Sequence, residues 1–165
     1  MHQHTDAAAT GPSGESDRAS RTVLPEAINI ATWQLMALRR ALGTAVGVQA
    51  AASAGADHKR ELQRRMDTLA QTRGEEAVQW ATLRVLLLLA RASRIDGLLS
   101  STLIIDEACT PLYRATAAFF RNGTVARDRL KPLEDAVRAN DPGAARRAAD
   151  DYFSATEALI LVGLA

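Results

Sequence analysis

The sequence predicts an all-α protein, an antiparallel bundle of about six helices behind a disordered N-terminal tail. Three observations carry this. Alanine is abundant while the 165 residues hold only 10 Gly and 5 Pro, a balance that favours helix. Apolar residues recur at three- and four-residue spacing through almost every segment after residue 22. Short corners rich in Gly, Asn, Asp or Pro separate those segments, which makes successive helices antiparallel neighbours. The 47% hydrophobic content excludes global disorder, and aromatics at 4% leave Leu, Val and Ala to fill the core.

Residues 1–22 are rich in Gly, Ser, Ala and Asp and have no apolar periodicity, so a solvated tail is expected there. His2 and His4 read as part of that tail rather than as a metal site. Residues 23–165 then form one helical domain. Its first helix is expected from Leu24 to about Ala54, with Pro25 near its start. Ile28, Ala31, Leu35, Leu38, Leu42, Ala45 and Val46 give it an apolar face. Gly43 and Gly47 each weaken it by up to about 1 kcal/mol against Ala, or else permit a close helix crossing. Trp33 reads as packing on a neighbour.

Asp57 is the expected cap of a second helix to about Gln71, with Leu62, Met66 and Leu69 inward. His58, in its first turn beside Lys59 and Arg60, reads as a surface residue. Thr72-Arg73-Gly74-Glu75 fits a capping box, with Thr72 as N-cap of a third helix ending near Ser93. The middle of that helix, LRVLLLLA, is apolar nearly all round and belongs at the centre of a bundle. Arg84 interrupts it and needs a partner or a route to water.

Ile95-Asp96-Gly97 reads as a turn, followed by a fourth helix from about Leu98 to Arg121. Its expected stripe is Leu99, Leu103, Ile104, Ala108, Leu112, Ala115 and Phe119. Pro111 kinks or breaks it near Glu107. Asn122-Gly123 reads as a stop, and Thr124 as the cap of the next helix, which Pro132 kinks or restarts. Asp141 is an N-cap with Pro142 at the first helical position, and this last helix ends near Gly163. Leu130, Leu133, Ala136 and Val137 give one arm of this hairpin its apolar face. Ala145, Ala148, Ala149, Tyr152 and Phe153 supply the other.

A net charge of +1 gives no electrostatic footprint for nucleic acid. Cys109 is the only cysteine, so no internal disulfide forms, which suits a reducing cytosol. The apolar runs Val85–Ala90 and Ala158–Ala165 are too short to span a bilayer, and the N-terminus has no secretory apolar region. No nucleophile with a base, no usefully spaced carboxylate pair and no glycine-rich phosphate loop stands out. An enzyme is therefore not expected.

The order Leu133, Ala136, Val137, Asp141, Ala144, Ala145 resembles the last hairpin of the FCD domain. That domain is the all-helical effector-binding half of FadR-subfamily regulators in the GntR family. Leu38-Arg39-Arg40-Ala41-Leu42 followed by Ala50-Ala51-Ala52 resembles its first helix, with Gly43 where a Glu usually stands. The six segments follow the FCD layout in order across Leu24 to Leu164. The resemblance implies a cytoplasmic ligand-sensing and dimerisation domain of a transcription regulator, a homodimer that takes a small organic acid or acyl effector. The winged helix-turn-helix that precedes such domains has no counterpart in the short segment before the first helix. Direct nucleic-acid binding by this chain is therefore not expected.

Many FCD domains resemble one another in holding a divalent metal through an Asp and three His. The matching positions here are Thr82, Leu86, Leu130 and Tyr152, none a strong ligand, so the resemblance implies a metal-free member without a cofactor. The residues left to line a pocket are Arg39, Trp80, Thr82, Arg84, Tyr113, Arg129 and Tyr152. An Arg would grip an effector carboxylate directionally. Each Arg also suits a salt bridge, Tyr152 suits core packing, and Thr82 suits a bond to its own helix backbone. The alternative is a standalone helical interaction module without a small ligand, whose apolar fourth helix pairs with a copy of itself.

Overall fold

A computed structural model describes residues 14–112 and 120–163, with side chains from Ile30 onward. Among the described residues the named helices are, in order, α1 (Gly14–Ser53), α2 (Ala56–Gln71), α3 (Glu75–Ala92), α4 (Asp96–Cys109), α5 (Gly123–Ala139) and α6 (Pro142–Gly163). No strand occurs among the described residues; one isolated antiparallel bridge joins Arg73 and Asn122. No helix among them is long and apolar enough to cross a membrane. The all-α bundle expected from composition and periodicity is the architecture found. Of the expected tail, residues 1–13 lie outside the described residues, as do Tyr113, Ala115 and Phe119 of the expected fourth helix.

The chain divides into two units within α1, Met1–Gln34 and Leu35–Ala165. The first is helical from Gly14 and exposes Ile30 and Trp33. The helix begins ahead of Leu24. The second unit holds the core.

That core is aliphatic. Met36, Leu62, Met66, Leu69, Val78, Val85, Leu130, Leu133, Val137 and Ile160 are its largest fully buried side chains. Helix α2 buries Leu62, Met66 and Leu69, as its periodicity required. Helix α3 buries residues on most of its circumference, from Val78 to Ala92, and forms the centre.

Two corners differ from the sequence reading. Thr72 does not cap α3. It closes α2, and its hydroxyl donates to the Thr68 carbonyl at 2.8 Å. Gly74, with φ +88°, supplies the left-handed turn into α3, a conformation that an L side chain disfavours. The cap ahead of α5 is Asn122, not Thr124. Asn122 caps α5 by accepting from the Thr124 amide at 2.9 Å, and Gly123 is the first helical residue. Gly123 is needed because a Cβ there would overlap the Leu69 carbonyl oxygen. The Thr124 hydroxyl instead donates to the Ala70 carbonyl at 3.2 Å, satisfying an end carbonyl of α2.

The register of α4 also differs. Its buried positions are Ile105 and Cys109, with Leu98, Thr102 and Leu112 half-buried. Leu103 and Ile104 face outward, 47% and 66% exposed. The segment LLSSTLIIDEAC is apolar on two sides, so spacing alone admits both stripes, and packing on α3 selects one. The regular helix stops at Cys109, two residues before Pro111.

The α5–α6 hairpin follows the sequence closely. Pro132 lies on the exposed side of a continuous α5. Asn140 ends it in the left-handed conformation, φ 55° and ψ 42°. The Asp141 amide donates to the Ala136 carbonyl at 2.9 Å, and Asp141 Oδ1 accepts from the Ala144 amide at 2.9 Å to open α6.

Candidate functional site

The close approach of α1 and α6 builds the site. Gly43 on α1 lies against the Phe153 ring on α6, where a Cβ would clash. Gly47, one turn on, faces Leu133 and the Ala149 methyl, and an added Cβ would meet these at 3.1 and 3.2 Å. The glycines thus serve a close crossing, the second of the two uses open to them. One turn before Gly43, Arg39 follows the same face inward.

Arg39 is only 7% exposed. Its guanidinium carbon stands 4.9 Å from the centre of the Phe153 ring, a cation–π contact. It makes no hydrogen bond or ion pair among the described residues. It lines a cavity of about 30 Å³, room for about two waters. The other walls are Leu42 and Val46 of α1, Leu86 and Leu89 of α3, Thr102, Ile105 and Asp106 of α4, Leu133 and Phe153. The cavity is apolar apart from Arg39, Asp106 and Thr102. The Thr102 hydroxyl gives its proton to the Leu98 carbonyl at 2.7 Å and offers only lone pairs to a ligand.

Two buried acids of the weak kind share this environment. Burial pushes the Cys109 thiol up to about 11, with Arg39 acting against the shift and Asp106 adding to it. Burial likewise pushes the Tyr152 phenol up to about 12; Arg39 and Arg129 oppose that and Asp106 adds to it. Both groups are neutral at physiological pH. A protonated, fully buried thiol is no nucleophile.

The residues expected to line a pocket separate into three sets. Arg39 and Tyr152 lie inside, and the Arg39 charge acts on the Tyr152 phenol. Thr82 is buried on α3, but its hydroxyl donates to the Val78 carbonyl at 2.8 Å and it does not line the cavity. Trp80 and Arg84 face outward on α3. Arg129 is exposed on α5 and shares with Tyr152, Pro132, Ala148, Asp151 and Ala155 a groove of about 190 Å³. Tyr113 lies outside the described residues. Asp106, Thr102 and Phe153 line the cavity without having been expected there. The register of α4 is what turns Asp106 inward.

Leu86 and Leu130, at the positions matched to metal ligands, are core residues beside Thr82 and Tyr152. Among the described residues no three His, Cys, Asp or Glu side chains cluster to hold a metal ion. No family model matches the chain, and no curated protein matches it.

Proposed function

We propose that this chain is a cytosolic, effector-sensing helical module whose ligand is a small organic acid gripped by Arg39. The observation that carries the reading is a buried guanidinium that lines a largely apolar cavity and makes no hydrogen bond or ion pair among the described residues. Burying a cation without a hydrogen-bonded counter-group is costly, and a carboxylate ligand offsets that cost with directional bonds. Asp106 and Thr102 on the opposite wall would accept from a hydroxyl or amino group on the same ligand. The cavity takes only the acid's head group, so a longer tail must displace Phe153 or Leu42. Such displacement couples occupancy to the α1–α6 crossing, which is how a sensor transmits binding. The sensing domain of a GntR-type regulator, with the six-segment FCD layout, fits this description.

The test is a thermal-shift screen of small organic acids and acyl thioesters on the wild type and on Arg39→Met. An acid that raises the wild-type Tm and leaves the variant unmoved supports the reading. A wild type unmoved by every acid at millimolar concentration overturns it.

A second reading, a helical interaction module without a small ligand, is favoured by a different observation. The cavity is near the size of two waters, while α3 and α4 leave large apolar side chains outside.

A further inference from the structure

The outer faces of α3 and α4 form one surface. On α3 the exposed or half-exposed residues Trp80, Arg84, Leu87 and Arg91 recur at spacings of four, three and four, so they share a face. On α4, Ser100, Leu103, Ile104 and Glu107 do the same. Between them runs a groove of about 550 Å³, floored by Leu87, Leu88, Leu99 and Leu103 and bordered by Arg65, Arg84 and Arg91. Arg65 is bound to Glu61, Nε to Oε1 2.7 Å, and donates to the Arg84 carbonyl at 2.9 Å. Arg84 and Arg91 have no ion pair among the described residues, and neither has Glu107.

The surface is therefore cationic on α3 and acidic on α4, with leucine and isoleucine between. We propose that a second copy of this chain occupies it, packing α4 against α4 antiparallel about a two-fold axis at Leu103. In an antiparallel pair centred on Leu103, Glu107 of the second copy falls opposite Leu99. Leu99 and Arg91 line the same groove, so the two unpaired charges meet, and symmetry makes the contact twice. Leu103 and Ile104 bury against their counterparts and the leucine floor. The charge pattern is complementary to itself, which selects a second copy over an unrelated acidic helix. This deepens the interaction-module reading and rests on it; it does not involve Arg39.

Charge reversal tests it. Glu107→Arg and Arg91→Glu each place like charges across the axis twice. Both sites are exposed, and far-UV circular dichroism checks that each variant stays folded. Sedimentation velocity is expected to give a dimer for the wild type at micromolar concentration. Each single variant should dissociate at least about tenfold more readily. An equimolar mixture of the two should recover the dimer, because each interface then joins opposite charges. A wild type that stays monomeric overturns both self-association and this face. A wild-type dimer that both reversals leave intact overturns the face alone.

Discussion

Arg40 and Asp150 join α1 to α6 through two parallel hydrogen bonds, Nε to Oδ1 at 2.7 Å and Nη2 to Oδ2 at 2.9 Å. Glu157 Oε2 adds a looser contact 3.9 Å from Arg40 Nη1. The pair stands at the rim, beside the residue that enters the cavity. A bidentate fork has one good geometry, so it fixes the rotation of α1 about its axis. That rotation is what turns Arg39 inward. The Arg40 guanidinium holds the Asp150 carboxyl below its ordinary 3.8.

The sign of the pH effect follows. The folded carboxyl is the stronger acid, so its contribution is fully present above the ordinary value. It is lost as pH falls through the folded value below that. Melting curves taken from about pH 7 down to about pH 2.5 should show a smaller acid loss for Asp150→Asn than for the wild type. Both side chains are partly exposed, so salt should narrow the difference. Parallel curves for the two proteins would remove this pair from the acid limb.

Gly43 and Gly47 of α1 should respond differently to the same change. Gly43→Ala drives a methyl into the Phe153 ring, and overpacking of this kind costs about 1–3 kcal/mol. Tm should fall by about 2–4 °C for each of those kcal/mol. Gly47→Ala meets only the ends of Leu133 and the Ala149 methyl, each slightly too close. Its strain is set against a gain of about 1 kcal/mol in helix propensity, so its Tm should move little. Equal losses for both variants would mean that the Phe153 contact is not the tight point of the crossing.

Asn140 carries three duties at the α5–α6 corner. Its backbone is left-handed, its Nδ2 donates to the Ala51 carbonyl at 3.1 Å, and its Oδ1 accepts from Lys59, whose ammonium also donates to the Arg138 carbonyl. Asn140→Gly keeps the backbone and loses the side-chain bonds. Asn140→Ala loses both, adding about 1 kcal/mol of left-handed strain. Chemical denaturation should rank wild type above Gly above Ala. A reversed order of the two variants would show that the left-handed backbone carries no strain, and a Gly variant level with the wild type would show that the side-chain bonds carry nothing.

Much of this was legible in the chain. The hairpin corner was, because Asp141 and Pro142 state the helix start in side-chain chemistry that needs no partner. The faces of α2 and α3 were, because one is strictly periodic and the other apolar nearly throughout. The face of α4 was not. Leu98, Thr102, Ile105 and Cys109 compete with Leu99, Leu103 and Ile104 for the same role, and only contact with α3 decides between them. The error carried over to the site: with α4 turned the wrong way, Asp106 reads as surface and Leu103 as core. The cap of α5 was misplaced by two residues because Asn122 and Thr124 are both good cap residues, and the need for Gly123 depends on Leu69, far away in sequence. Arg39 was a candidate on the strength of a resemblance, and its inward turn was not legible. Spacing alone puts an arginine on either side of a helix rim.

Cys109 should be silent to thiol reagents in the folded state. It is fully buried, and its thiol is held at about 11. At about pH 8 the thiolate fraction is then about a thousandth. Labelling by iodoacetamide should therefore follow global unfolding, rising with denaturant along the same curve as circular dichroism. Rapid labelling of the native protein would mean that α4 opens on its own. The pocket around Arg39 would then be reached through that opening.

The sharpest prediction concerns Arg39 itself. A salt bridge that holds a fold together and a cation kept for a ligand give opposite results when the charge is removed. Arg39→Met keeps the length and apolar stem of the side chain. It forfeits the contact with Phe153, worth about 0.5–2 kcal/mol. It also relieves a buried guanidinium whose effective desolvation penalty is on the order of several kcal/mol. Asp106 is only partly buried and keeps its access to water, so the change leaves no stranded anion. The second effect exceeds the first, and Tm should stay level or rise. Such a gain, together with loss of any acid-induced shift, identifies a residue whose position serves binding at the expense of stability. A fall in Tm like that from Gly43→Ala would instead make Arg39 a strut of the α1–α6 crossing, and the sensor reading would lose its anchor.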